Sequence, residues 1–252
     1  MRDGLNRVLD ALDAAPVAVT AFVRDDDAGW DDGALLALLD VMAEAATPID
    51  LAVIPFELGA ALTNALRARR DAGAAIGLHQ HGTRHANHES GGRKCEFGLS
   101  RSPEAQRTDL ADGRARLHQA FGERLDPIFT PPWNRVAPHT PAVLAGLGFA
   151  ALSRDRGAPP QAALPELPVD VDWSRHQREG GHAAVAGALA QAIGARAGDR
   201  RPLGLMLHHA AMDAAERRTL RGWLRELSHH PKLHWRPMRA LLPLPAPTRP
   251  TP

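Results

Sequence analysis

Apolar runs of β type alternate with segments of helical period along most of the 252-residue chain. The first run, VAVTAFV at residues 17–23, precedes a helix that opens near Asp31 or Asp32 and carries Leu35, Leu36, Leu38 and Leu39. Residues 50–54 predict the next strand, 58–70 a helix and 74–78 a third strand. Ser102-Pro103-Glu104 is a helix start, with serine as N-cap and proline at the first helical position, and that helix reaches about Phe121. Residues 126–129, 149–152, 167–171 and 203–207 read as further strands. A helix opens at Thr140-Pro141 and ends near Gly146 or Gly148, and two more cover 182–197 and 212–227. Strands alternating with helices predict a parallel sheet, and about seven such units without a linker predict a closed or nearly closed α/β barrel. A doubly wound open sheet is the second arrangement; no GxGxxG or P-loop pattern follows the first strand, which weighs against its nucleotide-binding form. The expected organisation is one domain over residues 1–240 and a Pro-rich tail over 241–252, the proline-rich stretch itself starting at 236.

Composition narrows this picture by exclusion. A hydrophobic fraction of 44% is enough for a core. Thirty basic against twenty-nine acidic residues leave a net charge of +1, no footprint for nucleic acid or an anionic membrane. The opening MRDGLNRVLDALDAAP has three aspartates and no continuous apolar stretch, unlike a signal peptide or anchor. Nowhere does an apolar run reach the roughly eighteen residues of a membrane span. The single cysteine, Cys95, fits a reducing compartment, so a cytoplasmic protein is expected.

Candidate chemistry gathers where the strands end. Asp25-Asp26-Asp27 follows the first run, and GLHQHGTRHANHE (77–89) puts four histidines after the third. Thr130-Pro131-Pro132-Trp133-Asn134-Arg135, Asp170-Val171-Asp172-Trp173 and His208-His209 each close a later run. In a parallel barrel the carboxyl ends of the strands share one face, and that face carries the chemistry. His81 and His85 are spaced i,i+4 without the glutamate of HExxH, so a zincin protease is not expected. One carboxylate and two neutral imidazoles would make a three-ligand site with open positions, suited to Zn²⁺ or another divalent transition metal. A second aspartate could accept a proton from water, and a histidine from another strand could protonate a leaving group. Such a site suits metal-assisted hydrolysis of an amide or ester.

In this order the motifs resemble the polysaccharide deacetylase family, the NodB-homology or carbohydrate esterase family 4 domain, over roughly residues 17 to 210. Arg24-Asp25-Asp26-Asp27-Ala28 resembles the first motif, Thr-Phe-Asp-Asp-Gly, which implies Asp26 as base and Asp27 as metal ligand; a one-residue shift gives Asp25 and Asp26. His81 and His85 match the His-x-x-x-His ligands of the second. Thr130-Pro131-Pro132-Trp133 resembles the third, Arg-x-Pro-aromatic, implying an oxyanion donor in the Trp133 N–H with Asn134 and Arg135 beside it. Asp172-Trp173 resembles the fourth, on the substrate side, and Met206-Leu207-His208-His209 the fifth, implying His208 as general acid and His209 as its fallback. The resemblance implies a deformed (β/α)7 barrel and metal-dependent removal of N-acetyl groups from a sugar or glycan, with Zn²⁺ or else Co²⁺, Ni²⁺, Mn²⁺ or Fe²⁺. Hydrolysis of another C–N amide, and a catalytically weakened glycan- or metal-binding barrel, are the other readings. Thr130 stands where the family has an arginine, a place Arg135 or Arg24 could fill. Residues 92–98 (GRKCEFG) form a candidate substrate loop or lid in which Arg93, Lys94 and Glu96 offer contacts or solvated charge. Trp30, Trp133 and Trp173 are candidate sugar platforms, with core packing an equal reading for Trp173, while His79 reads as a residue of the strand end or one supporting the ligands and His88 as a loop residue.

Overall fold

The structure is a computed structural model that describes residues 2–243. Its frame is an all-parallel sheet of β1 (Val19–Ala28), β2 (Ile49–Val53), β3 (Ile76–His81), β4 (Ile128–Thr130), β5 (Ala151–Leu152), β6 (Val171–Asp172), β7 (Leu203–Leu207) and β8 (Leu233–Trp235). Seven strands run in spatial order β5-β4-β3-β2-β1-β7-β6, and β8 joins the amino-terminal end of β1. The outer strands β5 and β6 are not paired with each other, but isolated bridges Leu152–Glu166 and Asp155–Val169 stitch β5 to the segment before β6. The sheet is therefore curled into a deformed, incompletely closed (β/α)7 barrel.

Around it run α1 (Arg2–Ala14), α2 (Asp32–Glu44), α3 (Ala60–Asp71), α4 (Pro103–Phe121), α5 (Thr140–Gly146), α6 (Trp173–Asp199) and α7 (Ala214–Ser228). The Ser102 cap read from sequence is in place, accepting from the Ala105 N–H, and Asp31 caps the helix expected to open there by accepting from the Ala34 N–H. Asp213 caps α7 in a reciprocal capping box with Glu216, satisfying two free backbone donors at once. The main core joins Val8 and Leu12 of α1, the β1–β3 interior, Leu189 and Ile193 of α6, and Leu220 and Leu224 of α7.

Four elements depart from expectation. Helix α1 has Leu5, Val8, Leu9 and Leu12 at helical spacing and packs on α6, so the opening segment is a working part of the core. Helix α6 starts at Trp173, not 182, because the positive-φ Gly181 and its neighbour Gly180 kink the helix instead of ending it. Strand β8 is short and covers the amino end of β1. The stretch from 236 is also anchored before its end: the Met238 N–H donates to buried Asp50 and Arg239 pairs with Asp126, closing the barrel floor. The rest of the tail, residues 244–252, lies outside the described residues. No helix among the described residues is long and apolar enough to cross a membrane.

Candidate active site

The first strand carries the three aspartates inside it, at the carboxyl end, and sends them three ways. Successive strand side chains point to opposite faces. Arg24 and Asp26 therefore share a face, and Asp25 turns to the other. A bulge between Asp25 and Ala28, with Asp27 at φ 71°, swings the third carboxylate off this alternation.

Asp25 is fully buried against His209. Its Oδ2 lies 2.6 Å from His209 Nδ1, its Oδ1 accepts the His209 backbone N–H at 2.9 Å, and His209 Nε2 sits 2.7 Å from the Trp30 carbonyl. Both ring nitrogens face acceptors, so the ring is doubly protonated. Burial works against that charge, but the Asp25 carboxylate and the Trp30 carbonyl push the His209 pKa up to about 9. The pair ties the end of β7 to β1, and neither residue has a face left for substrate. The same contact engages both His209, the fallback acid, and Asp25, the alternative base, and so favours His208 and Asp26 for those roles.

Asp26 lies beneath Arg24, whose Nε is 2.7 Å from Oδ1 and whose Nη2 donates to Oδ2 at 2.9 Å. The same guanidinium donates to Ser153 Oγ at 2.8 Å and Asn134 Oδ1 at 2.9 Å, and Arg24 is 0% exposed. Burial alone would raise the Asp26 pKa; the charges of Arg24, His81 and His208 outweigh it and keep the carboxyl below its usual value. Of the two arginines considered for the place of Thr130, Arg24 is the one that lies against Asp26. Arg135 does not, since its guanidinium donates to the Lys94 carbonyl.

Asp27 Oδ1 lies 3.1 Å from His81 Nε2 and 3.2 Å from His85 Nε2, and the three donor atoms all fall within 4.8 Å of one another. His81 Nδ1 is 3.0 Å from the Thr130 carbonyl, which can only accept, so this nitrogen carries a proton. Were His81 neutral, its Nε2 lone pair would face a carboxylate oxygen. A proton or a metal cation resolves that clash, and the hydrogen bond to the Thr130 carbonyl leaves Nε2 turned towards the Asp27 carboxylate. The donor set therefore fits a divalent ion. Burial opposes ionisation of Asp27, but hydrogen bonds and charge from the two histidines hold it well below the carboxylate range.

The loop between the histidines is fixed by a residue sequence reasoning left among the lid charges. Glu96 is buried and accepts the Thr83 and Arg84 N–H groups at 3.2 and 2.8 Å. Gly82 lies between, at φ 58°, where a Cβ would meet Glu96 Oε2 at 2.1 Å. The buried His79 hydrogen-bonds Thr130 Oγ1 at 2.9 Å; burial and Arg24 lower its pKa to about 3, so it stays neutral. His88 lies in the exposed loop, its backbone N–H on the Cys95 carbonyl.

Trp133 stands in a tight turn at φ 55°, with its ring 4.5 Å from that of His85; Trp30 approaches His85 from another side at 4.7 Å. The turn closes through the Asn134 and Arg135 N–H groups, so the Trp133 N–H takes no part in closing it. His208, at the end of β7, is part-buried with no hydrogen-bond partner on Nδ1, and its charge bears on Asp26. Asp172 caps α6 through the Arg175 N–H. Trp173 is the misplaced member: it is 1% exposed and packs at 5.5 Å on Trp223 in the core, since it begins the helix and faces the sheet.

No family model matches this sequence, and no curated protein matches it. Solved structures do. One, described as a polysaccharide deacetylase from Mycobacterium smegmatis, superposes with a TM-score of 0.64 at 18% identity, covering 90% of each chain. A family 4 acetyl xylan esterase from Clostridium thermocellum, in complex with a cobalt ion, gives 0.58 at 16%, covering 88% of this chain and 89% of that one. A CE4 family pseudoenzyme from Bacillus anthracis gives 0.54 at 12%, covering 87% of this chain and 64% of that one. The chain has the fold of the carbohydrate esterase family 4 deacetylases and esterases.

Proposed function

We propose that this protein is a metal-dependent deacetylase that removes an N-acetyl group from an N-acetylated sugar or glycan-related substrate. The observation that carries the reading is the adjacency of two units on one strand: a carboxylate held ionised by buried Arg24, and a second carboxylate grouped with two imidazoles. The fold likeness supports it, and the cobalt ion in the acetyl xylan esterase supports a divalent ion at Asp27, His81 and His85.

That ion, Zn²⁺ in the first instance, would supply Lewis-acid polarisation of the acyl carbonyl and of water. Asp26 takes the proton as the water oxygen attacks the carbonyl carbon. Arg24 keeps this carboxylate ionised and aimed. The Trp133 N–H, in its strained turn, donates to the developing oxyanion. His208 gives a proton to the sugar nitrogen as the C–N bond breaks, releasing acetate and the free amine. The lack of an arginine at Thr130 is the ground for reading a catalytically weakened barrel, and Arg24 beside Asp26 weakens that ground. Single, buried Cys95 supports the cytoplasm as the place of action.

The test is acetate release across N-acetyl sugars, nucleotide sugars and small amides, wild type against Asp26→Asn, with metal analysis alongside. Bound metal, and acetate release lost in the variant, is the expected result. Protein that holds no metal and does not rise in melting temperature with Zn²⁺ sinks the metal reading. Bound metal without turnover of any substrate favours the binding barrel, and activity on small amides alone favours another C–N bond.

A further inference from the structure

Beside the candidate active site lies a cavity of about 640 Å³, lined among others by Arg93, Leu99, Trp133, Asn134, Arg135 and Arg175. It is continuous with the chemistry at two points. Trp133 lies edge-on to His85, and Asn134 accepts from the guanidinium that holds Asp26. Its volume is several times what an acetyl group and one water need, which leaves room for a larger part of a substrate.

The charges on the wall are unequally compensated. Arg154 pairs with Glu166 and Arg156 with Asp170, both internal to the fold. Arg175 lies 3.7 Å from Glu179. Arg93 and Arg135 have no carboxylate within ion-pair distance among the described residues. They nonetheless stand close enough that Arg93, together with burial, lowers the Arg135 pKa. Arg135 is part-buried, its Nη1 pinned on the Lys94 carbonyl at 2.9 Å, while Lys94 reaches over the Trp133 ring at 5.9 Å. The other carboxylates in the lining form no ion pair with them, although the charge of Asp155 partly offsets that of Arg135. Asp172 caps α6, Glu89 accepts from Ser100, and Asp155 faces the cavity beyond ion-pair range. Exposed Arg93 and part-buried Arg135 turn two like charges to one concave wall, and guanidinium forks match phosphate and carboxylate oxygens.

We propose that this cavity is a subsite for an anionic substituent of the substrate, a phosphoryl or carboxylate group, received by Arg93 and Arg135. The acylated nitrogen then lies at the Trp133 end and the anion at the arginines. This orientation rests on the deacetylase reading; the anion subsite itself does not.

The test is calorimetric titration of the wild-type chain with product-side probes, which are not turned over: glucosamine 1-phosphate, muramic acid and glucosamine. One or both anionic probes should bind at least about tenfold tighter than glucosamine, the worth of one charge-assisted hydrogen bond. That advantage should vanish in Arg93→Gln and in Arg135→Gln, persist in Arg135→Lys and shrink with added salt. The two anionic probes separate phosphoryl from carboxylate. No advantage over glucosamine in wild type, including no detectable binding of any probe, overturns the proposal, as does an advantage untouched by both glutamine variants. Acetate release from the N-acetyl forms is read separately. Anion preference without release sinks the deacetylase reading alone, and release without anion preference sinks the subsite alone.

Discussion

Arg24 and Asp26 form a bidentate ion pair across two positions of a single strand, 2.7 and 2.9 Å at its two contacts and sealed from solvent. A residue pair of spacing i,i+2 on a strand shares a face, so the backbone itself delivers the guanidinium to the carboxylate. Arg24→Gln should lower turnover about 100-fold, in the range of a misplaced general base, with metal content retained. Because Arg24 lowers the Asp26 pKa, its loss raises that pKa, and the acid limb of the pH–rate profile should move to higher pH. Arg24→Lys should keep the limb nearer its place while losing part of the rate. An acid limb unmoved in the glutamine variant would dismiss Arg24 as the partner of the base.

His208 stands at the end of β7 with an unpartnered ring nitrogen beside Asp26. His208→Ala should cost roughly 10²–10⁴ in kcat on an N-acetyl sugar, with the metal kept. On an aryl acetate, whose leaving group departs without a proton, the loss should be slight. Equal losses on the two substrates, or loss of the metal, would remove the acid role.

The buried Asp25–His209 pair should appear as pH-dependent stability. Its histidine has a folded pKa of about 9 against 6.5 in the unfolded chain. The contribution, on the order of 3 kcal/mol, is present in full below pH 6.5 and lost as pH rises through 9. His209→Gln should melt well below wild type at pH 6, and the gap should narrow by pH 9.5. A gap that is constant with pH would mean that the ring is neutral in the fold.

At the opposite end of the barrel, burial and nearby Asp126 push the Asp50 pKa up to about 8. A carboxyl with a raised pKa takes stability away as pH climbs from about 4 through 8. Asp50→Asn should therefore melt above wild type at pH 8, by roughly 2 kcal/mol, with the gain fading towards pH 4. Gly77 shows how tight the site is, since a Cβ there would meet Asp50 Oδ1 at 2.0 Å. Thermal melts across this range decide it, and a variant destabilised at pH 8 would show that the ionised form is needed.

Where sequence pattern matched structure, the signal was local. Ser102 is a cap whose chemistry acts within three residues, and the grouping of His81 with His85 was legible because both donors belong to one strand end and its loop. Where the pattern misled, the cause lay across the fold. Trp173 reads as a strand-end aromatic until α6 is seen to begin there and bury it. Helix α1 carried its amphipathic spacing openly, yet three aspartates masked it. Glu96 could not be told from a solvated lid charge, because its partners at Thr83 and Arg84 are reached only through the folded loop. The place of Arg24 was left undecided against Arg135, since their difference is one of direction.

One strand, β1, carries the proposed base, the guanidinium that holds it and a carboxylate of the donor cluster, and it runs through the interior of the sheet. The stitched seam between β5 and β6 is on the far margin, beside the arginine-lined hollow. The hollow is thus bordered by strands paired on one side only, whereas Asp26 and Asp27 stand on a strand paired on both. The spacing of the two carboxylates is therefore set by the most fully paired strand of the sheet, and the shape of the hollow by its least paired margin.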